Sequence, residues 1–348
     1  MLGMARLRKL VRFATSPVRL REGHALVLVY HRVCEIESDP CRIAVTPDHF
    51  ADHLSVLREN YHPLSLRALG QAIREKQVPK NAVVVTLDDG YVDNLFHAKP
   101  VCERFSVPAT VFITTGKIGK MEFWWDELEK VVLGAYALPE RFVLEVGGGQ
   151  REWLLDPISR ESPVDTKQGR GWTVNLETRP RTRERMYMEL SEILGGMGDT
   201  ERESCLAALL EWSRQPCRLR PDRRTLTAEE IVQLTEGGII DVGAHSVTHP
   251  LLALQSPEAQ AVEIGESKRE LENIVGHTIA SFAYPHGGRG DYATESVCAV
   301  REAGFEQACT AIPGVVNARS DLFQLPRLMV MDWDGERFAR QIRSWFRS

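Results

Sequence analysis

Seven short apolar runs, rich in β-branched residues, recur along the chain with almost no polar alternation. They are Leu26–Tyr30, Val83–Leu87, Ala109–Thr114, Ile239–Gly243, Ala280–Tyr284, Gln307–Ile312 and Leu325–Met331. A strand with one wet face alternates apolar and polar residues. A run apolar throughout is buried on both faces, as in parallel sheets covered by helices. Amphipathic helical patterns lie between these runs: Pro47–Asn60, Leu66–Lys76, Asp93–Phe105, Thr227–Glu236, Pro257–Val275 and Tyr292–Ala303. Gly237-Gly238 and Gly304 directly follow two of them, where a left-handed residue ends a helix. Alternating strands and helices predict an α/β fold of βα units, and seven strands predict a barrel in preference to an open sheet.

One stretch breaks the rhythm. From about residue 117 to 224 the chain carries helical patterns at Asp126–Tyr136, Thr182–Leu194 and Glu201–Trp212. It also carries a polar Gly/Arg/Thr-rich section, Gly147–Arg183, with weak strand signals at Phe142–Val146 and Trp172–Leu176. This reads as a largely helical insertion carried on one βα loop, placed to form part of a substrate cleft. Phe123-Trp124-Trp125-Asp126 opens it, and Trp124 and Trp125 are candidates for stacking on a sugar ring, with core packing as the competing reading.

Composition narrows the partners. A chain of 348 residues with 43% apolar and 26% charged residues is neither disordered nor fibrous. Its 43 basic against 48 acidic residues leave a net charge of -5, so no basic field favours nucleic acid. No apolar run approaches the ~20 residues of a membrane span. Seven cysteines without CxxC pairs read as reduced thiols, and a cytoplasmic location is expected. The first 22 residues form a basic arm: Met1 to Arg21 holds six cations and no acid, and Arg12 interrupts the one apolar stretch, which argues against a signal peptide. Residues 4–14 have the pattern of a short amphipathic helix able to rest on an anionic membrane, a solvated arm being the alternative.

The chemistry clusters where strands end. Tyr30-His31-Arg32, Asp88-Asp89-Gly90, His245-Ser246-Val247-Thr248-His249 and Tyr284-Pro285-His286-Gly287 each follow an apolar run. In a parallel barrel all such ends open on one face, where active sites are built. Adjacent Asp88 and Asp89 at a buried strand end are costly without positive charge nearby. Successive strand side chains diverge, so the two carboxylates are expected to have different partners. The HxxxH spacing of His245 and His249 is expected to place both rings on one side of a helical turn. Two imidazoles and one carboxylate make a three-ligand site with positions left for water and substrate.

These motifs resemble the polysaccharide deacetylases, the NodB-homology or carbohydrate esterase family 4 group. Thr86-Leu87-Asp88-Asp89-Gly90 and His245–His249 are similar to the first two family motifs, and Phe282-Ala283-Tyr284-Pro285-His286-Gly287 to the third. The resemblance runs from about Leu26 to Ile342, apart from the insertion. It implies a distorted (β/α)7 TIM-like barrel over 23–348 and a divalent metal, most often Zn2+. It also implies removal of acetyl groups from N-acetylated sugars, with O-acetyl esters cleaved by some members. Asp89, His245 and His249 match the metal ligands and Asp88 the general base. Tyr284, Pro285 and His286 match the segment that meets substrate and the oxyanion. Tyr30-His31-Arg32-Val33 is similar to the motif supplying the general-acid histidine, and its early position resembles the circularly permuted branch that acts on exopolysaccharide. The family's third motif often carries an arginine that holds the catalytic aspartate, and here that position is Ala283; Arg327 is the candidate to supply a guanidinium from elsewhere.

Three other readings compete: an O-acetyl esterase using the same centre, a non-haem iron oxygenase in a β-jelly-roll, and a sugar-binding homologue that has lost catalysis. For the deacetylase, the implied mechanism has a metal-activated water, Asp88 as base and His31 as acid.

Overall fold

The computed structural model describes residues 23–119, 122–135, 137–157, 160, 182–215 and 220–347. The basic arm, its candidate membrane-facing stretch 4–14 and the strand signal at Trp172–Leu176 lie outside these residues. Among the described residues no helix is long and apolar enough to cross a membrane.

Seven parallel strands form the framework: β1 (Ala25–Tyr30), β2 (Ala82–Leu87), β3 (Ala109–Ile113), β4 (Ile240–Ala244), β5 (Ser281–Ala283), β6 (Gln307–Cys309) and β7 (Leu328–Met329). Their order is β6-β5-β4-β3-β2-β1-β7. β1 and β2 run in full register from Ala25↔Ala82 to Tyr30↔Leu87. The two-residue strand His62–Pro63 pairs with Ala82 and Val83, ahead of the point where β3 joins β2 at Val85↔Ala109. β6 and β7 meet through irregular bonds: Thr310 N–H donates to Leu325 O (2.9 Å), and Arg327 N–H to Ile312 O (3.1 Å). The result is a distorted seven-stranded α/β barrel, not the jelly roll an iron oxygenase of this ligand type would occupy.

The missing alternation has its cause in two cores. Leu26, Leu28 and Tyr30 of β1, with Val83, Val85 and Leu87 of β2, pack under the helical layer formed by α1 (Pro47–Asn60), α7 (Ala228–Thr235) and α8 (Pro257–Val275). The intervening Ala25, Val27, Ala82 and Val84 meet Phe112, Ala283 and Cys309 on the other face, together with Leu66 and Leu69 of α2 (Leu66–Arg74). Every residue of both strands is buried. Burying a Val or Leu side chain stabilises by roughly 1.5–3 kcal/mol, so a charge introduced on either face of β1 or β2 would be selected against equally.

The expected helix Asp93–Phe105 is two elements, a π-helical turn at Asn94–Ala98 and α3 at Lys99–Phe105. Pro100 has no N–H to donate one turn back, which favours a break there. The insertion holds α4 (Trp124–Val132), a hairpin of Arg141–Val146 with Gly149–Leu154, α5 (Thr182–Gly195) and α6 (Asp199–Ser213). Gly147 and Gly148, at φ 59° and 77°, make the tight turn that needs two positive φ values. The strand signal at Phe142–Val146 therefore pairs with Gly149–Leu154, inside the polar section Gly147–Arg183. Leu128, Val132, Leu190, Leu194 and Leu209 give the insertion its own core, separate from the barrel's. The two remaining barrel helices are α9 (Thr294–Glu302) and α10 (Gly335–Trp345).

Candidate metal centre and active site

The ends of β1, β2, β4 and β5 bring His31, Asp88, Asp89, His245, His249 and His286 to one cavity of about 250 Å³. Asp89 Oδ1 lies 3.6 Å from His245 Nε2 and 3.5 Å from His249 Nε2, and one ligand atom from each lies within 4.8 Å of the others. Bonds of ~2.0–2.2 Å to a tetrahedral ion span such separations. His245 Nδ1–H donates to Ala283 O at 2.8 Å, which leaves its Nε2 lone pair facing Asp89.

Distance alone would make these contacts ion pairs, but the electrostatics say otherwise. Burial pushes His245 down to about 4, against the opposing charge of Asp88. Burial, then the neighbouring His286, His245 and His31, hold His249 well below the imidazole range. Both rings are therefore neutral and have lone pairs to give. Burial, with the charges of Asp88 and Asp126, raises Asp89 well above an ordinary carboxyl. A buried carboxyl group whose ionised form Arg327 and Arg32 offset only in part, beside two neutral imidazoles, is the donor set a divalent cation would complete. The three residues fit such an ion.

The loop that carries the histidines corrects the expected helical turn. Residues 245–249 are not helical; Ser246 and His249 have φ 61° and 62°. Glu263 on α8 accepts hydrogen bonds from Val247 N–H (2.8 Å), Thr248 N–H (2.9 Å) and the Thr248 hydroxyl (2.8 Å). Ser246 Oγ accepts from His249 N–H at 3.0 Å. These bonds fold the loop so that two rings four residues apart converge without a helix. Asp89 (φ 74°) and His286 (φ 58°) are left-handed as well, and such strain in non-glycine residues gathers where function holds it.

Asp88 faces a different partner. Arg327 Nη1 and Nη2 donate to its Oδ1 and Oδ2, each at 2.7 Å, while Arg327 Nε donates to Thr310 O at 2.8 Å. Nη1 also donates to Thr86 Oγ1 at 3.2 Å. Both side chains are buried, so this is no surface salt bridge. Burial alone would raise Asp88, but Arg327, His245 and His31 together hold it at about 2. The guanidinium absent from position 283 thus arrives from the segment before β7.

His31 lines the same cavity, half-buried, and is held below the ordinary imidazole range by desolvation and, more weakly, by Arg327, with Asp88 opposing. Its neighbours in the sequence turn elsewhere. The Tyr30 hydroxyl meets His53 Nδ1 (3.3 Å), and Arg32 Nε donates to Asp93 Oδ2 (2.9 Å). Trp124 and Trp125 both reach the cavity from α4. Trp125 stands 5.1 Å from the His249 ring, and its Nε1–H donates to the Tyr91 hydroxyl (2.8 Å), which in turn donates to Asp126 Oδ2 (2.7 Å). Trp124 also packs in the insertion core.

Two expected substrate contacts are corrected. The Tyr284 hydroxyl donates to Phe323 O (3.0 Å), its N–H to Cys309 O (3.1 Å), and its ring stacks on Tyr292, so it is core. Pro285 has no N–H, and its carbonyl accepts from Gly287 N–H (2.6 Å). Of that segment only His286 borders the cavity, its ring 4.6 Å from that of His249. Sequence reasoning missed the Tyr91–Asp126–Arg223 chain (Arg223 Nη1 to Asp126 Oδ1, 3.3 Å), Glu263 and the cavity residues Cys41, Ile43, Tyr187 and Ser191. No motif marks these, because each acts through a partner far away in the chain.

The polysaccharide deacetylase family model matches residues 75–134 and 212–308, the two barrel segments that flank most of the insertion. The chain belongs to the polysaccharide deacetylase family. Members of this family generally use a divalent metal. The Bacillus subtilis polysaccharide-deacetylase protein YxkH is 28% identical over 106 residues, which is 30% of this chain and 37% of that protein. The match thus spans little more than a third of the curated relative. Among solved structures, the Streptococcus pyogenes deacetylase PplD in complex with acetate aligns with a TM-score of 0.56 at 17% identity, covering 92% of this chain and 99% of that one. IcaB from Ammonifex degensii aligns with a TM-score of 0.56 at 17% identity, covering 94% and 98%. A de-N-acetylase from Aggregatibacter actinomycetemcomitans gives 0.54 at 12%, covering 92% and 99%. At such identities these likenesses concern the barrel.

Proposed function

We propose that this polysaccharide deacetylase hydrolyses N-acetyl groups from an amino sugar, with a divalent metal, zinc by preference, held by Asp89, His245 and His249. The observation that carries the reading is the juxtaposition, in one cavity, of this neutral-imidazole and carboxylate set with an Asp88 braced by Arg327. A bound dication supplies Lewis-acid polarisation of the acetyl carbonyl and lowers the pKa of water towards ~7.

The chain's own residues do the rest. Asp88, held ionised, takes the proton from the attacking water, and each of its oxygens keeps a lone pair beyond those engaged by Arg327. Arg327 fixes the plane of that carboxylate, so no reorganisation accompanies proton transfer. His31, in its protonated form, delivers a proton to the departing nitrogen and ends neutral; its lowered pKa makes that form a stronger acid and a smaller fraction at neutral pH. An amide nitrogen leaves only when protonated, whereas an ester oxygen leaves with less help, so His31 favours N-acetyl over O-acetyl substrates. Trp125, fixed by Tyr91 and Asp126, offers an apolar face against the sugar and limits water at the centre.

The test is acetate release from paired N-acetyl and O-acetyl methyl glycosides by zinc-loaded protein, before and after chelation. Release from the N-acetyl compounds, abolished by chelator and restored by zinc, is expected. Exclusive release from O-acetyl compounds would reassign the protein as an esterase, and binding without release would make it a carbohydrate-binding homologue.

A further inference from the structure

We infer that the insertion restricts this site to one sugar residue at a chain end or in a small glycoside, with Tyr187 as a specificity-determining residue; this rests on the proposed N-deacetylation. The argument begins with volume. The cavity measures about 250 Å³, below the roughly 300–1,000 Å³ of pockets that enclose drug-sized ligands. A space of that size takes about one ring with its acetamido group, and further rings of a polymer would have to lie outside it.

Its walls explain the size. The floor is the barrel rim, but much of the enclosure comes from the insertion: Trp124 and Trp125 on α4, Tyr187 and Ser191 on α5. Insertion and barrel residues that line the cavity touch at two places. Trp125 closes against His249 at 5.1 Å between ring centroids, on one side of the metal-ligand set. The Tyr187 hydroxyl meets Cys41 Sγ at 3.6 Å, joining α5 to the loop that follows β1 across 146 positions of sequence. A linear polymer threaded past the centre needs a groove open at both ends, and these contacts bridge the barrel rim to the insertion.

The wall is also held firmly. Tyr187 is buried in the insertion core with Leu190 and Leu194 on the same helix. Asp126, at the base of α4, accepts from Tyr91 and pairs with Arg223, while Arg220 binds Glu122 (2.8 Å) and Glu129 (2.6 Å). The Tyr91 bond ties the barrel to the insertion, and the ion pairs tie the insertion's first helix and its lead-in to its closing segment, where the chain returns to the barrel. Separating the buried Asp126–Arg223 pair would strand each charge. Mostly apolar and aromatic cavity walls with a few convergent polar groups suit a ring presented end-on.

The experiment maps products. Zinc-loaded protein is incubated with N-acetylglucosamine pentamers, β-1,4- and β-1,6-linked, and with the methyl glycoside; acetate is counted and the position of each free amine is read by tandem mass spectrometry. The expected result is release from the methyl glycoside and at most one acetate per pentamer, from a terminal residue. Release from internal residues at comparable rates would overturn the inference while leaving deacetylation intact; release from no N-acetyl compound would overturn the underlying activity. Tyr187→Ala is expected to raise the internal-to-terminal ratio at least tenfold, and Tyr187→Phe, which removes only the hydroxyl contact with Cys41, to raise it by less. An unchanged ratio in folded Tyr187→Ala removes that residue from the assignment, and the wild-type product map decides the chain-end claim even if the variant fails to fold.

Discussion

Replacing Arg327 by Met should both destabilise the fold and change how stability depends on pH. In the native protein Asp88 sits at about 2 against an ordinary 3.8. At about 1.4 kcal/mol per tenfold change in proton affinity, this depression contributes roughly 2 kcal/mol. The sign follows from linkage: the contribution is present above pH 4 and lost as pH falls towards 2. Without Arg327, burial dominates and the Asp88 pKa rises above 3.8, so the carboxylate becomes a cost at neutral pH. Breaking a buried pair by removing one partner typically costs about 3–5 kcal/mol, and both members here are buried, Arg327 at 1% and Asp88 at 4% exposure. Urea unfolding of zinc-loaded protein at pH 7.5 and 5.5 measures the effect. Arg327→Met should lose about 3–5 kcal/mol at the higher pH and less at the lower, where Asp88 begins to protonate. Adding Asp88→Asn to that variant should regain about 1–3 kcal/mol, because the stranded charge is gone. A loss below about 1 kcal/mol, equal at both pH values, would refute the reasoning.

Asp88→Asn should retain zinc but lose about 10²–10⁴ in kcat for acetate release, the span of general acid–base contributions; full activity would remove the assigned base. His31→Ala should keep zinc with a kcat loss in the same range, larger for N-acetyl than for O-acetyl substrates, and an equal loss on both would end its role at nitrogen. Glu263→Ala, which frees the Val247 and Thr248 donors, should weaken zinc about 10–100-fold by competition titration, as loss of an outer support usually does. Unchanged affinity would show that the loop holds itself.

Much of the barrel was legible because its strands are buried on both faces. β1 and β2 begin one residue before the expected starts and end where expected, since continuous apolar runs leave little choice of boundary. The expected run Leu325–Met331 yields only Leu328–Met329, because Pro326 has no N–H and Arg327 spends its own on Ile312. The convergence of His31, Asp88, Asp89, His245 and His249 was foreseeable from strand ends alone. The route that brings His245 to His249 was not: periodicity suggested a helix, and the actual loop depends on Glu263, fourteen positions beyond His249. Arg327 could be named as a candidate but not placed, since its bond to Asp88 spans 239 positions. The insertion's contribution to the cavity was equally hidden, because the Tyr187–Cys41 contact leaves no local pattern.

The most direct test measures bound metal and acetate release together, in wild type and in Asp89→Asn. One divalent ion per chain in the wild type, with both metal and acetate release lost in the variant, is the expected result. Stoichiometric metal or undiminished release in Asp89→Asn would contradict the account.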